Sequence, residues 1–305
     1  MDKITKQLLE VVADLKDTPQ GAYNIRVDGE CAGRISTDSI QITSKENGRG
    51  IDIRIKAGTK GETCHIPVVV KNSGFHDRVL NDFFIGADSE VTIVAGCGIH
   101  NDGKNTAQHD GLHAFYIGKN AKVKYVEKHY GTGAGGGARI LNPETVVELS
   151  EGSILEMETV QIEGVDSTVR ITKAVLKDNA KLIIKEKLMT SGAQTVRTEF
   201  TVDLNGAGSA ADVVSRSVAK GSSDQTFIAA LHGNARCMGH IACDAIIMDS
   251  ARVSAVPEIL ANSVDAQLVH EAAIGKIAGE QLIKLMSLGL TEKQAEKEII
   301  QGFLK

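Results

Sequence analysis

The chain has 305 residues, 42% of them hydrophobic and 24% charged, with a net charge of -5 and an isoelectric point near 6.0. That balance belongs to a globular protein and provides no basic surplus to neutralise phosphates, which excludes a nucleic-acid partner. Met1–Asp17 is charged throughout and no stretch reaches about 18 apolar residues, so neither a signal peptide nor a spanning helix is expected and the chain reads as cytoplasmic.

At the start, Ile4, Leu8, Leu9, Val11, Val12 and Leu15 fall at helical spacing, which predicts an amphipathic helix within residues 1–20, lying outside the main body. From residue 21 to 268 the period becomes two, as in Asp52–Lys56, Glu90–Val94 and Lys122–Val126. A turn signature recurs around Ser89, Ala121, Ser153, Ser167, Ala180, Ser209, Ala235 and Ala251. Its spacings are one or two multiples of roughly 13 to 16 residues, each unit read as a strand, a turn and a return strand. Coils of that size bury an apolar face only by stacking, so a parallel β-solenoid is favoured over a sandwich. The hairpin dipeptides Asn47-Gly48, Asp102-Gly103, Asp110-Gly111 and Asn205-Gly206 do not follow the repeat. An exposed terminal coil would offer an edge to a second copy, which predicts a dimer through one end.

The glycine-rich Gly131–Gly137 lacks the G-K-[ST] of a phosphate cradle and reads as a flexible loop. Beyond Ala272 the pattern is helical again. Ile277, Leu282, Ile283, Leu285 and Met286 make one face, Gly289 stops the helix, and Thr291 with Gln294 forms a capping box before Ala295, Ile299, Ile300 and Phe303. This helical hairpin, residues 269–305, is either a cap on the solenoid or a docking surface.

Five scattered cysteines, Cys31, Cys64, Cys97, Cys237 and Cys243, fit a reducing compartment better than a disulfide framework. Cys237, His240 and Cys243 look like a zinc motif. On an extended strand, however, the two thiols are about 20 Å apart and His240 faces the other way. Cys243 is the better metal ligand, and only one of His270 and Glu271 should join it while they sit on a strand. The bland alternative is a buried histidine and a helix N-terminal glutamate. A second cluster, Cys97, His100, His109 and His113, has the density of a metal site without fixed spacing, and a surface loop is the favoured reading. Glycines beside Cys97 would leave its sulfur accessible. No G-x-S-x-G or H-E-x-x-H occurs, and no tryptophan and only 4 tyrosines are available to stack on sugars, so hydrolase and carbohydrate-enzyme readings are weak.

The run C-D-A-I-I-M-D-S-A-R-V-S-A-V-P-E-I from Cys243, with V-H-E-A-A-I-G-K-I-A-G-E-Q-L from Val269, resembles the SufB/SufD family of iron-sulfur cluster assembly scaffolds. The whole chain is similar to a short SufB-like member of a minimal two-component system. The resemblance implies a right-handed parallel β-helix, a dimer formed end to end, and C-terminal helices bound to a SufC-like ABC ATPase. It implies no enzyme activity but a transient iron-sulfur cluster, fed by a sulfur donor and passed to recipient apo-proteins. By motif, Cys243 resembles the interface cysteine, His270 and Glu271 the H-E-A motif, and Cys97 in A-G-C-G-I-H the segment that passes sulfur inward. Without the large N-terminal region of longer SufB proteins, a homodimer is expected. The alternative is a structural zinc-binding or interaction protein with no cluster.

Overall fold

A computed structural model describes residues 1–46 and 48–305. In chain order the elements are α1 (Lys3–Ala13), β1 (Ala22–Val27), β2 (Glu30–Ile35), β3 (Ile40–Ser44), β4 (Gly50–Ile55), β5 (Lys60–Val70), β6 (His76–Ile85) and β7 (Glu90–His100). Next come β8 (Ala107–Ile117), β9 (Lys122–Thr132), β10 (Arg139–Leu149), β11 (Ile154–Glu163), β12 (Ser167–Leu176), β13 (Lys181–Thr190) and β14 (Thr195–Leu204). The last are β15 (Ala210–Ala219), β16 (Asp224–Gly233), β17 (Met238–Ile247), β18 (Arg252–Ala261), β19 (Gln267–Gly275), α2 (Gly279–Ser287) and α3 (Glu292–Phe303).

From β4 onward the odd strands build one sheet and the even strands another, each in chain order. Pairing along each sheet is parallel. A parallel pair needs a crossover connection, and here the crossover is a strand of the opposite sheet. The result is a two-sided β-solenoid whose alternating strands, such as Lys181–Thr190, send every second side chain into one continuous core. Val123 pairs with Leu155 and Leu155 with Leu182, so a coil is 27 to 32 residues. The shorter sequence unit is therefore one strand and one corner, and two make a coil.

The corners explain the turn signature. Asp88, Asn120, Gly152, Asn179 and Gly208 have positive φ, a conformation that Asn, Asp and Gly adopt most cheaply. Each is followed by a buried small residue, Ser89, Ala121, Ser153, Ala180 and Ser209. The hydroxyls of Ser89, Ser153 and Ser209 donate to the carbonyl three residues earlier at 2.7–2.8 Å. In the next coil the buried residue at this corner is Cys237, not Ala235, because Cys237 immediately precedes β17 as Ser209 precedes β15.

The two ends differ. At the N-terminal end, β2 pairs antiparallel with β1 and β3 with β4, closing both sheets with hairpins. The β1–β2 turn is Asp28-Gly29, both at positive φ. Asn47, half of one dipeptide noted above, lies outside the described residues. At the C-terminal end, β18 and β19 are open edges carrying exposed Val256, Ile259, Leu260, Val269 and Ile274.

Two expectations are corrected by packing. Helix α1 is not separate from the body: Leu8 and Leu9 pack on Tyr23, Ile25 and Val69 outside the odd sheet. Lys71 and Lys128 hold its two ends through Asp2 and Asp14, both at 2.6 Å. The second correction is the Gly131–Gly137 patch, which is ordered by close contact. A Cβ at Gly133, Gly135 or Gly137 would come within 2.4 Å of the backbone at Asn101, Gly103 or Asn105. The glycines let one connection lie on another.

At the other end of the chain β19 continues to Gly275, past the 268/269 border, so His270 and Glu271 lie on a strand. Ile300 of α3 and its C-cap Leu304 pack on Val218, and the Thr291 capping box is formed. Helix α2 buries none of its residues.

Candidate functional site

The odd sheet places the sequence candidates by a simple rule of faces. Cys243 on β17 points inward and is 1% exposed. In the ladder it pairs with Ser215 on β15 and Ala272 on β19. His270 pairs with Ile241, so it occupies the same interior face as Cys243, one strand across and two residues along. Glu271 takes the outer face, 69% exposed at its side chain. There it meets His240, whose Nε2 is 3.8 Å from Glu271 Oε2 and whose Nδ1 is 2.8 Å from Asp212 Oδ1. Thus Cys243 is brought together with His270, and Glu271 with His240.

Both thiol and imidazole are in their neutral forms. Burial, then the Glu186 and Asp244 carboxylates, push the Cys243 thiol up to about 12. Burial and then His240 lower the His270 imidazole, and neither of its nitrogens has a hydrogen-bond partner among the described residues. A neutral imidazole with free nitrogens is a metal ligand in waiting, whereas the thiol must lose its proton to the metal. Among the described residues no three of His, Cys, Asp and Glu stand where they would hold one ion.

The second cluster divides as well. His100 and Asp102 lie outside, 2.8 Å apart. Cys97, His109 and His113 face the interior, only 7%, 2% and 5% exposed. The surface-loop reading is therefore corrected, since β8 carries both histidines inward. The glycines beside Cys97 do not expose its sulfur. They face outward, where a Cβ at Gly96 would meet Val12 O at 2.2 Å and one at Gly98 would meet Leu8 at 3.2 Å.

Sequence reasoning missed the groups that join the two clusters. On β9, Tyr125, Glu127 and His129 continue the inward register of Val123, and Arg170 on β12 and Glu186 on β13 do the same. Their signal was an acid, an imidazole or a guanidinium in the apolar register of an alternating strand. Arg170 donates to Glu127 Oε2 at 2.6 Å and its Nε is 3.6 Å from Glu186 Oε1. Thr198 and Ser215 donate to Glu186 at 3.1 and 2.6 Å, and Tyr125 donates to Glu127 at 3.0 Å. Burial opposes ionisation of Glu127, but His129 and Arg170 outweigh it and hold the carboxyl well below its usual range.

Register turns these residues into a column. Glu127, Thr159, Glu186, Ser215 and Cys243 are successive partners on neighbouring strands, and Cys97 pairs with His129 beside Glu127. At about 4.8 Å between strands, five steps separate Cys97 from Cys243, roughly 24 Å. A buried ion network of this kind is weak support for stability, because well-packed apolar residues often serve as well. It does make a polar path through an otherwise apolar core.

A profile described as "SUF system FeS cluster assembly, SufBD core domain" matches residues 69–303. The chain is 28% identical over 269 residues to an iron-sulfur cluster assembly SufBD family protein of Archaeoglobus fulgidus, covering 87% of this chain and 70% of that one. A protein of the same description from Methanocaldococcus jannaschii is 27% identical over 99% of this chain and 98% of its own. Another, from Methanothermobacter thermautotrophicus, is 30% identical over 71% of this chain, which spans only about half of it, 52%. No helix among the described residues is long and apolar enough to cross a membrane. With the match covering most of the solenoid and both C-terminal helices, the chain belongs to the SufBD family of iron-sulfur cluster assembly proteins.

Proposed function

We propose that the chain is a non-catalytic scaffold on which iron and sulfide are assembled, with two copies joined end to end through β18 and β19. The observation that carries this reading is the terminal coil. It leaves an apolar strand edge unpaired, with His270 on its inner face one strand from Cys243. A two-fold axis across that edge would bring two Cys243 and two His270 into one space, and Glu271, which faces outward beside His240 in the single chain, would complete coordination only once the last coil moves. Iron and sulfide are the cargo, and thiolate with imidazole and carboxylate suits them.

Cys243 is buried and protonated in the single chain, so loading needs the last coil to move. A SufC-like ABC ATPase seated on α2 and its C-cap, where Ile283, Met286 and Leu288 are exposed, would supply that motion on binding nucleotide. Sulfur from a donor would enter at Cys97 and follow the polar column to Cys243. The finished cluster would pass to recipient apo-proteins in the cytoplasm.

Anaerobic reconstitution of the complex with Cys243→Ser tests the reading: loss of cluster absorbance is expected, and unchanged absorbance sinks it. Metal analysis of anaerobically purified protein separates it from a structural zinc or interaction protein, since iron with acid-labile sulfide supports the scaffold and zinc alone supports the other.

A further inference from the structure

The hairpin that closes the solenoid at its N-terminal end leaves a space behind it. Strands β1 and β2 pair with a register shift, Ile25 opposite Gly33 but Arg26 opposite Cys31, so Ala32 has no partner on β1. Strict alternation would send Cys31 and Arg34 to opposite faces, because they are an odd number of residues apart. The extra residue of the bulge turns both to one face, the inner one that their partners Arg26 and Asn24 take on β1. Between these side chains and the core lies a cavity of about 150 Å³, with Asn24, Arg26, Cys31 and Arg34 in its polar wall and Ile66 and Val68 in its apolar one.

The two guanidiniums in that wall differ. Arg26 is neutralised by Asp77, 2.8 Å away. Arg34 meets only neutral oxygens, since its Nε donates to Asn24 Oδ1 and its Nη1 to Ser44 Oγ, both at 2.8 Å. Among the described residues it has no ion pair and its Nη2 has no hydrogen-bond partner. No Asp or Glu lines the cavity to balance it. Asn24 is only 7% exposed, and its Oδ1 receives the Arg34 bond 3.6 Å from Cys31 Sγ. Its Nδ2 donates to no described residue. A buried amide donor and a guanidinium edge are therefore both unused beside one cavity, and an unmade bond at a buried donor is costly.

We infer that this cavity is a binding site for a small monocarboxylate with a short alkyl tail. One cation without a counter-ion calls for one negative charge. The planar N–H groups of Arg34 and Asn24 suit the two oxygens of a carboxylate, and the guanidinium makes those bonds charge-assisted. Ile66 and Val68 give the alkyl group an apolar wall. A free amino acid fits less well, because the wall holds no carboxylate to receive its ammonium group. The site stands at the end of the solenoid away from β18 and β19, so it works without Cys243 or iron.

Iodoacetate tests the site, because it is itself a small carboxylate and Cys31, an exposed thiol in the cavity wall, records its arrival. The Cys31 thiolate displaces iodide, one S–C bond forming as the C–I bond breaks. The full chain is alkylated anaerobically at pH 8 and constant ionic strength, with iodoacetate or with neutral iodoacetamide, and the Cys31 rate is read by peptide mass. The ratio of the two rates at Cys31 should exceed that of free cysteine by about tenfold, the weight of one hydrogen bond to a charged group. The excess should saturate with iodoacetate, disappear in excess butyrate and persist in the same concentration of chloride. In Arg34→Gln the ratio should fall to that of free cysteine. A wild-type ratio no higher than that of free cysteine would overturn the site without any variant having to fold. Protection by chloride equal to that by butyrate would overturn it too, since any anion would then serve, and so would a folded Arg34→Gln that keeps the excess. None of these readouts involves iron or Cys243, so failure of the scaffold reading is a separate result.

Discussion

The Ser215 hydroxyl donates a 2.6 Å hydrogen bond to the Glu186 carboxylate, inside the solenoid and one strand from Cys243. That contact ties the apolar end of the core to a buried ion network whose other members are Arg170 and Glu127. Removing Arg170 would leave two carboxylates facing each other without their cation. Arg170→Met should cost about 3–5 kcal/mol in urea unfolding, the range for breaking a buried pair. Adding Glu127→Gln and Glu186→Gln to it should recover part of the loss, because the uncompensated charges are gone.

Asp77 predicts the acid behaviour. Burial raises its carboxyl, but His109 and then Arg26 outweigh this and hold it well below the ordinary range. A depressed folded value stabilises the protein above the unfolded value of about 3.9, and the stabilisation is lost as pH falls below that towards the folded one. Asp77→Asn should therefore be less stable than wild type at pH 7, with the two urea curves converging as pH drops below about 4. A gap that stays constant over that range would show that the carboxylate charge is irrelevant.

Gly96 reports on α1. Its missing Cβ would sit 2.2 Å from Val12 O and 2.8 Å from Val12 Cβ, so Gly96→Ala should lift the helix from the sheet. The expected cost is about 1–3 kcal/mol, the usual range for overpacking. Hydrogen exchange should become fast across residues 3–13 while the β13–β17 strands stay protected. Uniform loss of protection would mean that α1 is part of the folding unit.

Reactivity should separate the thiols. Cys31 is exposed, whereas Cys243 is 1% exposed and its thiol is held at about 12. Iodoacetamide at pH 8 should modify Cys31 first and Cys243 last, as read by peptide mass. Binding of the nucleotide-loaded ATPase should accelerate Cys243, and an unchanged rate would argue against opening of the last coil.

Much of the architecture was legible in the sequence because the solenoid writes it twice, in the period of its strands and in the chemistry of its corners. Asp88, Asn120 and Asn179 ahead of Ser89, Ala121 and Ala180 name the corner by conformation alone. The register failed around Ala235, where Cys237 replaces the usual small residue and drew a chemical reading at a place where it packs, and Ser167 and Ala251 are half-buried residues at even-strand corners of another kind. His270 and Glu271 were separable by strand alternation, which sends adjacent residues to opposite faces. The column from His129 to Ser215 was hidden for a different reason: partners 27 to 32 residues apart meet only once the strand pairing is known. Cys97 misled through its glycines, whose role is the close passage of α1 on the outer face.

The central claim is that two copies share one cluster site across the β18–β19 edge. Native mass spectrometry of the anaerobically reconstituted protein with its ATPase measures it directly. The account predicts two copies of this chain carrying one cluster between them, with the cluster absent in Cys243→Ser. A cluster held by a single copy of the chain would contradict it.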